Sequence, residues 1–299
     1  MNEYVYDGSM EGLFAMLDRA LRAVDPAAAL PDRVHGPNRR GWGPRARRAA
    51  ASQPDLFGDS PPDDPGPEPP LICAAFLAAA SDAVMTGTVP AIPAAQQLHE
   101  LSFGAYDCFV QGWMSELPIE AELVRFAWKV LDAGQRAAGG VSSPAARGEA
   151  ETAAADREDP DVETTLAAAH KVWKELDRLR GLLRFSPGRG GVYLARCAPD
   201  HFVLPGLAGH FTTRFGETPW AIIDERRGLA LARDIGAAAR LIPLEEALHS
   251  IAALSRDPWE DLWRSYHRII ANETRANPKL QQQFMPRRYW KYLPETDNR

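Results

Sequence analysis

Asp200, His201, His210 and Arg214 bring a carboxylate, two imidazoles and a guanidinium into one short stretch of the chain. Such groups can move protons, bind anions or ligate a metal. Their spacing restricts the choice. His201 and His210 are nine residues apart. At about 100° per helical residue they fall on opposite faces of a continuous helix, so they do not form a metal-binding pair. Asp7 is a further weak catalytic candidate, followed by Gly8 and Ser9 in a turn that ends a strand and opens a helix. Asp224 and Glu225 add two acids, each with a turn or cap to explain it. No Ser/His/Asp or Cys/His spacing is present, so the residues name no reaction, no metal and no cofactor.

The C-terminal stretch offers binding chemistry instead. From Leu262 to Leu293 there are seven Lys/Arg (Arg264, Arg268, Arg275, Lys279, Arg287, Arg288, Lys291) and one acid, Glu273. Trp263, Tyr266, Phe284, Tyr289, Trp290 and Tyr292 lie among them. Cations attract phosphate and flat rings stack on bases, which suits a nucleic-acid surface. Arg275, Lys279, Arg287, Arg288 and Lys291 are therefore expected to form one positive face, with Tyr289 or Trp290 available at its edge. Cations that complement a helix dipole, and aromatics that fill a core, are the structural alternative.

That stretch also carries a resemblance. Asn277-Pro278-Lys279-Leu280-Gln281, Met285-Pro286 and Arg288-Tyr289-Trp290-Lys291-Tyr292-Leu293-Pro294-Glu295 resemble the C-terminal signature of a bacterial family of unknown biochemical function. Its members are described as DNA metabolism or DNA repair proteins. Val5 to Leu13, Pro199 to Pro205 with His210-Phe211 and Arg214-Phe215, and Pro219-Trp220 with Ile222, Asp224 and Arg227 resemble it too, in the expected order. The resemblance implies DNA as a partner, together with a DNA modification or repair radical SAM protein. It also implies kinship with a domain fused to uracil-DNA-glycosylase-like proteins. Gly216-Glu217-Thr218-Pro219 is similar to a Gly-Glu-x-Pro-Gly loop of some such glycosylases. However, Trp220 replaces the last glycine, and the segment precedes a strand where the loop should follow one.

The 299 residues carry a formal charge of −6, with 45% hydrophobic residues. That excludes coating of nucleic acid by bulk charge and leaves only a local patch. Cys73, Cys108 and Cys197 form no C-x-x-C pair, which excludes a cluster motif and favours a reducing cytoplasm. No basic-then-apolar leader and no run of about 18 apolar residues is present, so no membrane is expected.

Periodicity predicts a single α+β domain over 1–299, a small mixed or antiparallel sheet packed against a helix-rich body. Ser9 should cap a helix burying Leu13, Phe14, Leu17, Leu21 and Val24. Leu98 to Trp113 and Leu123 to Leu131 carry further helical apolar sets, as do Ile72 to Ala80. The helix with Val172, Leu176 and Leu179 should expose Lys171, Lys174, Arg178 and Arg180 to solvent. Ser186 to Gly191 should turn a hairpin, and Asp200 should cap the helix through Phe211 and Phe215. Trp220–Asp224 and Leu229–Ala232 should be strands about the Glu225–Gly228 turn. Asp257-Pro258-Trp259-Glu260 should open a helix burying Leu262, Trp263, Tyr266, Ile269 and Ile270. Residues 31–70 and 134–161, poor in periodic apolar side chains, are expected to be disordered insertions.

Three functions stay open: a DNA repair or metabolism accessory protein that binds nucleic acid, an enzyme acting on DNA or nucleotides, and a protein-docking scaffold.

Overall fold

The computed structural model describes residues 2–36, 82–137, 142–188, 191–244, 264–266, 269 and 277–296. The expected α+β class holds, but the body divides into two compact units, 1–173 and 174–299.

The first unit is mostly helical. Strand β1 (Glu3–Val5) pairs in parallel with β2 (Arg33–His35). Helix α1 (Met10–Leu21) starts where expected, because Ser9 Oγ accepts the Gly12 N–H at 2.9 Å. Leu13, Phe14 and Leu17 are buried, whereas Val24 lies beyond the helix end and is fully exposed. Then come α2 (Asp82–Thr86), α3 (Pro93–Leu101), α4 (Phe103–Met114), α5 (Glu120–Arg136) and α6 (Pro144–Ala155). Leu98, Leu101, Phe109, Trp113, Leu123, Phe126 and Leu131 fill the core between them.

Two expectations about insertions are corrected here. Residues 33–35 form β2, because their backbone groups pair with β1. Residues 144–155 form α6, capped by Ser143 and burying Ala146 and Ala150. Alanine carries little apolar area but has the best helix propensity, and its small side chain lets a helix pack closely. The rest of the first insertion, 37–70, and the set Ile72–Ala80 lie outside the described residues.

Helix α7 (Pro160–Leu182) begins beside an ion-pair cluster of the first unit. Lys129 Nζ reaches Asp159 at 2.5 Å and Asp161 at 2.7 Å, and Arg125 reaches Asp161 at 2.7 Å. Partial burial works to raise both carboxyls. The hydrogen bonds and charges of Lys129 and Arg125 outweigh it and hold Asp159 and Asp161 below the usual range. Groups with depressed folded values contribute stability above their unfolded value, about 3.9, and lose it as pH falls through the folded value. The melting midpoint is therefore expected to drop on acidification below about pH 4, and Lys129→Met should flatten that limb. An unchanged limb in the variant would show that these pairs add nothing.

The second unit holds a five-stranded sheet in the order β3 (Ser186–Pro187), β4 (Tyr193–Cys197), β5 (Trp220–Asp224), β6 (Leu229–Arg233), β7 (Arg240–Pro243). Only β4 and β5 run parallel, and helix α8 (Leu204–Phe215) crosses between them. The other neighbours are antiparallel. Every residue of β5 is buried, as expected for a strand near the middle of a sheet covered on both faces. Gly228, at φ 63°, closes the β5–β6 turn in a left-handed conformation that favours glycine. Strand β7 follows a turn in which the Ala237 N–H bonds to Asp234 O at 3.2 Å and Gly236 takes φ 67°, a signal to which the periodicity assigned no strand.

Helix α9 (Pro278–Phe284) is capped by Asn277 and is followed by two short 3-10 segments, Arg287–Tyr292 and Pro294–Thr296. Of the helix expected after Asp257, Tyr266 and Ile269 are described and are exposed rather than buried, at 52% and 81%.

Candidate functional site

Two clusters of polar side chains are built in the second unit. The first lies where the chain leaves the parallel strands β4 and β5. Asp224 ends β5 completely buried, and its carboxylate accepts the Arg226 and Arg227 N–H groups at 2.9 and 3.2 Å. The buried Arg227 guanidinium pairs with Asp224 at 2.8 Å and donates to the carbonyls of Pro199 and Asp200 at 3.2 and 2.9 Å. Burial pushes the Asp224 carboxyl up, and Arg227 pulls against it. One buried pair therefore ties the turn after β5 to the loop after β4.

Glu175, on α7, is the second anchor of this cluster. Its 2%-exposed side chain accepts the Asp200 and His201 N–H groups at 2.9 and 2.7 Å, the Tyr289 hydroxyl at 2.7 Å and Arg288 at 2.8 Å. Arg288 also pairs with the Asp200 carboxylate. Burial, and then the Glu175 charge, push the Tyr289 phenol up. Nearby, Glu225 accepts the Tyr292 hydroxyl at 2.6 Å and Lys291 at 3.2 Å, and pairs with Arg196. Desolvation works to raise Glu225, but Tyr292, Lys291 and Arg196 hold it below its usual value.

These contacts revise the reading of the C-terminal segment. Tyr289 is buried and cannot stack on a base. The charges of Arg288 and Lys291 meet carboxylates, so these residues fasten the segment to α7, the loop after β4 and the turn after β5. Trp290 donates its indole N–H to Met285 O at 2.8 Å beneath the exposed Arg287. Lys279 is exposed on α9, and Arg275 lies outside the described residues.

The weak catalytic candidates also separate. Asp7 accepts the Ser9 N–H and hydroxyl at 2.9 and 2.6 Å, a local turn in the first unit. Asp200 does not cap α8; Val203 occupies that position without a side-chain bond, because Asp200 is drawn to Arg288. His201 presents its N–H to Glu175. Among the described residues, no group of three His, Cys, Asp or Glu could hold a metal.

Arg214 belongs to the second cluster, a cleft of about 550 Å³ in the second unit, whereas His210, on the same helix, is not one of its lining residues. Arg180 and Arg184 come from the end of α7, Phe185 and Tyr193 from the β3–β4 hairpin, and Phe211, Arg214 and Phe215 from α8. The rings pack on one another, with Phe185–Phe215 at 4.7 Å, Phe185–Phe211 at 5.1 Å and Tyr193–Phe215 at 5.8 Å between centroids. Tyr193 keeps 39% of its surface exposed.

Arg184 is held by Glu295 at 2.7 Å and by Gly181 O at 2.8 Å. Arg180 and Arg214 have no carboxylate partner among the described residues. Among the described residues, Arg180 Nε and His210 Nε2 are both buried without a hydrogen-bond partner. Burial, with the charges of Arg180 and Arg214, holds His210 below its usual value.

The sequence reading placed Arg180 on a solvated face and passed over Glu175. The second had a signal: Val172, Glu175, Leu176 and Leu179 share the buried face of α7, and an acid on such a face needs donors.

No curated protein and no solved structure matches the chain. No helix among the described residues is long and apolar enough to cross a membrane. A family described as a domain of unknown function (DUF4130) matches residues 145–295, just over half of the chain, and includes both clusters of the second unit. The chain belongs to that family.

Proposed function

We propose that the second unit is a nucleic-acid-binding module of a cytoplasmic protein that serves DNA metabolism or repair. The observation that carries this reading is the cleft. It sets two guanidinium groups that have no carboxylate partner among the described residues, Arg180 and Arg214, beside the rings of Tyr193 and Phe215. Guanidinium groups attract phosphate and aromatic faces accept unpaired bases, so the pair of chemistries favours single strands over duplex. The acids Glu175, Asp224 and Glu225 are engaged in structural pairs, which favours an accessory role over catalysis. The C-terminal motifs, which resemble those of DNA repair proteins, support a radical SAM protein as the partner in that work.

Salt-titrated anisotropy with labelled single- and double-stranded DNA tests the reading. Arg214→Ala should weaken single-strand binding and reduce the magnitude of the log–log salt slope by about 0.7. Tyr193→Ala should cost about 1–3 kcal/mol of binding with the slope nearly intact. Absence of saturable binding at low salt, with the partner present, would sink the proposal.

A further inference from the structure

The geometry points to a more specific occupant for the cleft: one nucleotide bearing a terminal phosphate, with its base against Tyr193 and Phe215 and its phosphate between Arg180 and Arg214. This deepens the nucleic-acid reading and rests on it. Three observations carry it.

The first is size. About 550 Å³ lies within the range of small-molecule sites, and suits one nucleotide rather than a duplex. The second is charge. Arg180 and Arg214 both line the cleft and lack carboxylate partners among the described residues. A phosphodiester brings a single negative charge, whereas a phosphate monoester carries about −1.5 to −2 at neutral pH with three acceptor oxygens. The monoester matches two guanidinium groups.

The third is an orphaned donor. Among the described residues, Arg180 Nε has no hydrogen-bond partner. A buried polar atom left unsatisfied is costly and calls for an explanation. Arg180 lines the cleft, and an anion there would bring acceptors to its guanidinium. No residue in this set is used by the buried pairs of Glu175 and Asp224, so the cleft is chemically independent of them.

The test compares one single-stranded oligonucleotide in three forms, 5′-phosphorylated, 3′-phosphorylated and unphosphorylated, together with a free nucleoside monophosphate and its nucleoside. All are titrated into the full-length protein at constant salt. A phosphorylated end should bind about tenfold tighter than the hydroxyl end, the size expected for an added charge-assisted contact. Arg214→Ala and Arg180→Met should erase that preference. Arg214 is exposed, so its variant should keep the wild-type melting midpoint even if the Arg180 variant is unstable.

Equal, saturable binding of all three oligonucleotides, without competition by the monophosphate, would overturn the terminal-phosphate assignment and leave nucleic-acid binding standing. Binding of the monophosphate but of no oligonucleotide would keep the cleft's ligand chemistry, assign it to a free nucleotide and overturn the nucleic-acid reading. No binding of any probe would overturn both.

Discussion

Replacing Asp224 with alanine is expected to destabilise the protein by about 3–5 kcal/mol, the cost of stranding one member of a buried ion pair. Asp224 is fully buried and the Arg227 side chain is 2% exposed. Without the carboxylate, Arg227 loses its 2.8 Å partner, and the Arg226 and Arg227 N–H groups lose their acceptor. Burial pushes the Asp224 carboxyl up even beside Arg227, so desolvation offsets much of the pair's attraction. The double replacement Asp224→Leu with Arg227→Met should accordingly lose less than the single one, since it strands no charge. Urea unfolding of the three proteins decides the matter. A single-variant loss under about 1 kcal/mol would mean that water reaches Arg227 and that the pair is not sealed.

Phe211→Ala should cost a similar amount, about 3–5 kcal/mol, through lost apolar burial and the cavity left behind. Phe211 is 1% exposed, with ring centroids of Phe185 at 5.1 Å and Trp220 at 6.0 Å. It is the wall between the core of the second unit and the cleft. Phe211→Leu, closer in volume, should lose much less, below about 1.5 kcal/mol. Denaturant midpoints with unchanged m-values would assign both effects to packing. An alanine variant nearly as stable as the parent would show that the ring cluster collapses to fill the gap.

Much of the local structure was legible in the residues themselves. Ser9 as a cap, the β5–β6 turn closed by Gly228 and the apolar faces of α4 and α5 all follow from short-range chemistry that acts within a few residues. Helix α6 was misread for a related reason. Its Ala-rich composition lacks an apolar period, and its burial of Ala146 and Ala150 becomes visible only when neighbouring helices are present to pack against it. Val24 failed in the opposite direction: it continues the period of α1, but the helix has already ended at Leu21.

The candidate site divides along the same line. Residue types alone determined that this chain concentrates cations and aromatics in its C-terminal part, and that His210 and Arg214 share one helix. Only the tertiary structure decided which cations have carboxylate partners. Arg288 meets Glu175 across 113 positions and Lys291 meets Glu225 across 66, so the cations that looked most available are fastened to α7 and to the turn after β5. Arg180, which looked merely solvated, faces Arg214 and the hairpin rings in the cleft. Spacing within a helix records which side chains share a face, but a charge is satisfied by whatever opposite charge the fold brings within a few ångströms, and that distance is set by sheet order and helix crossing.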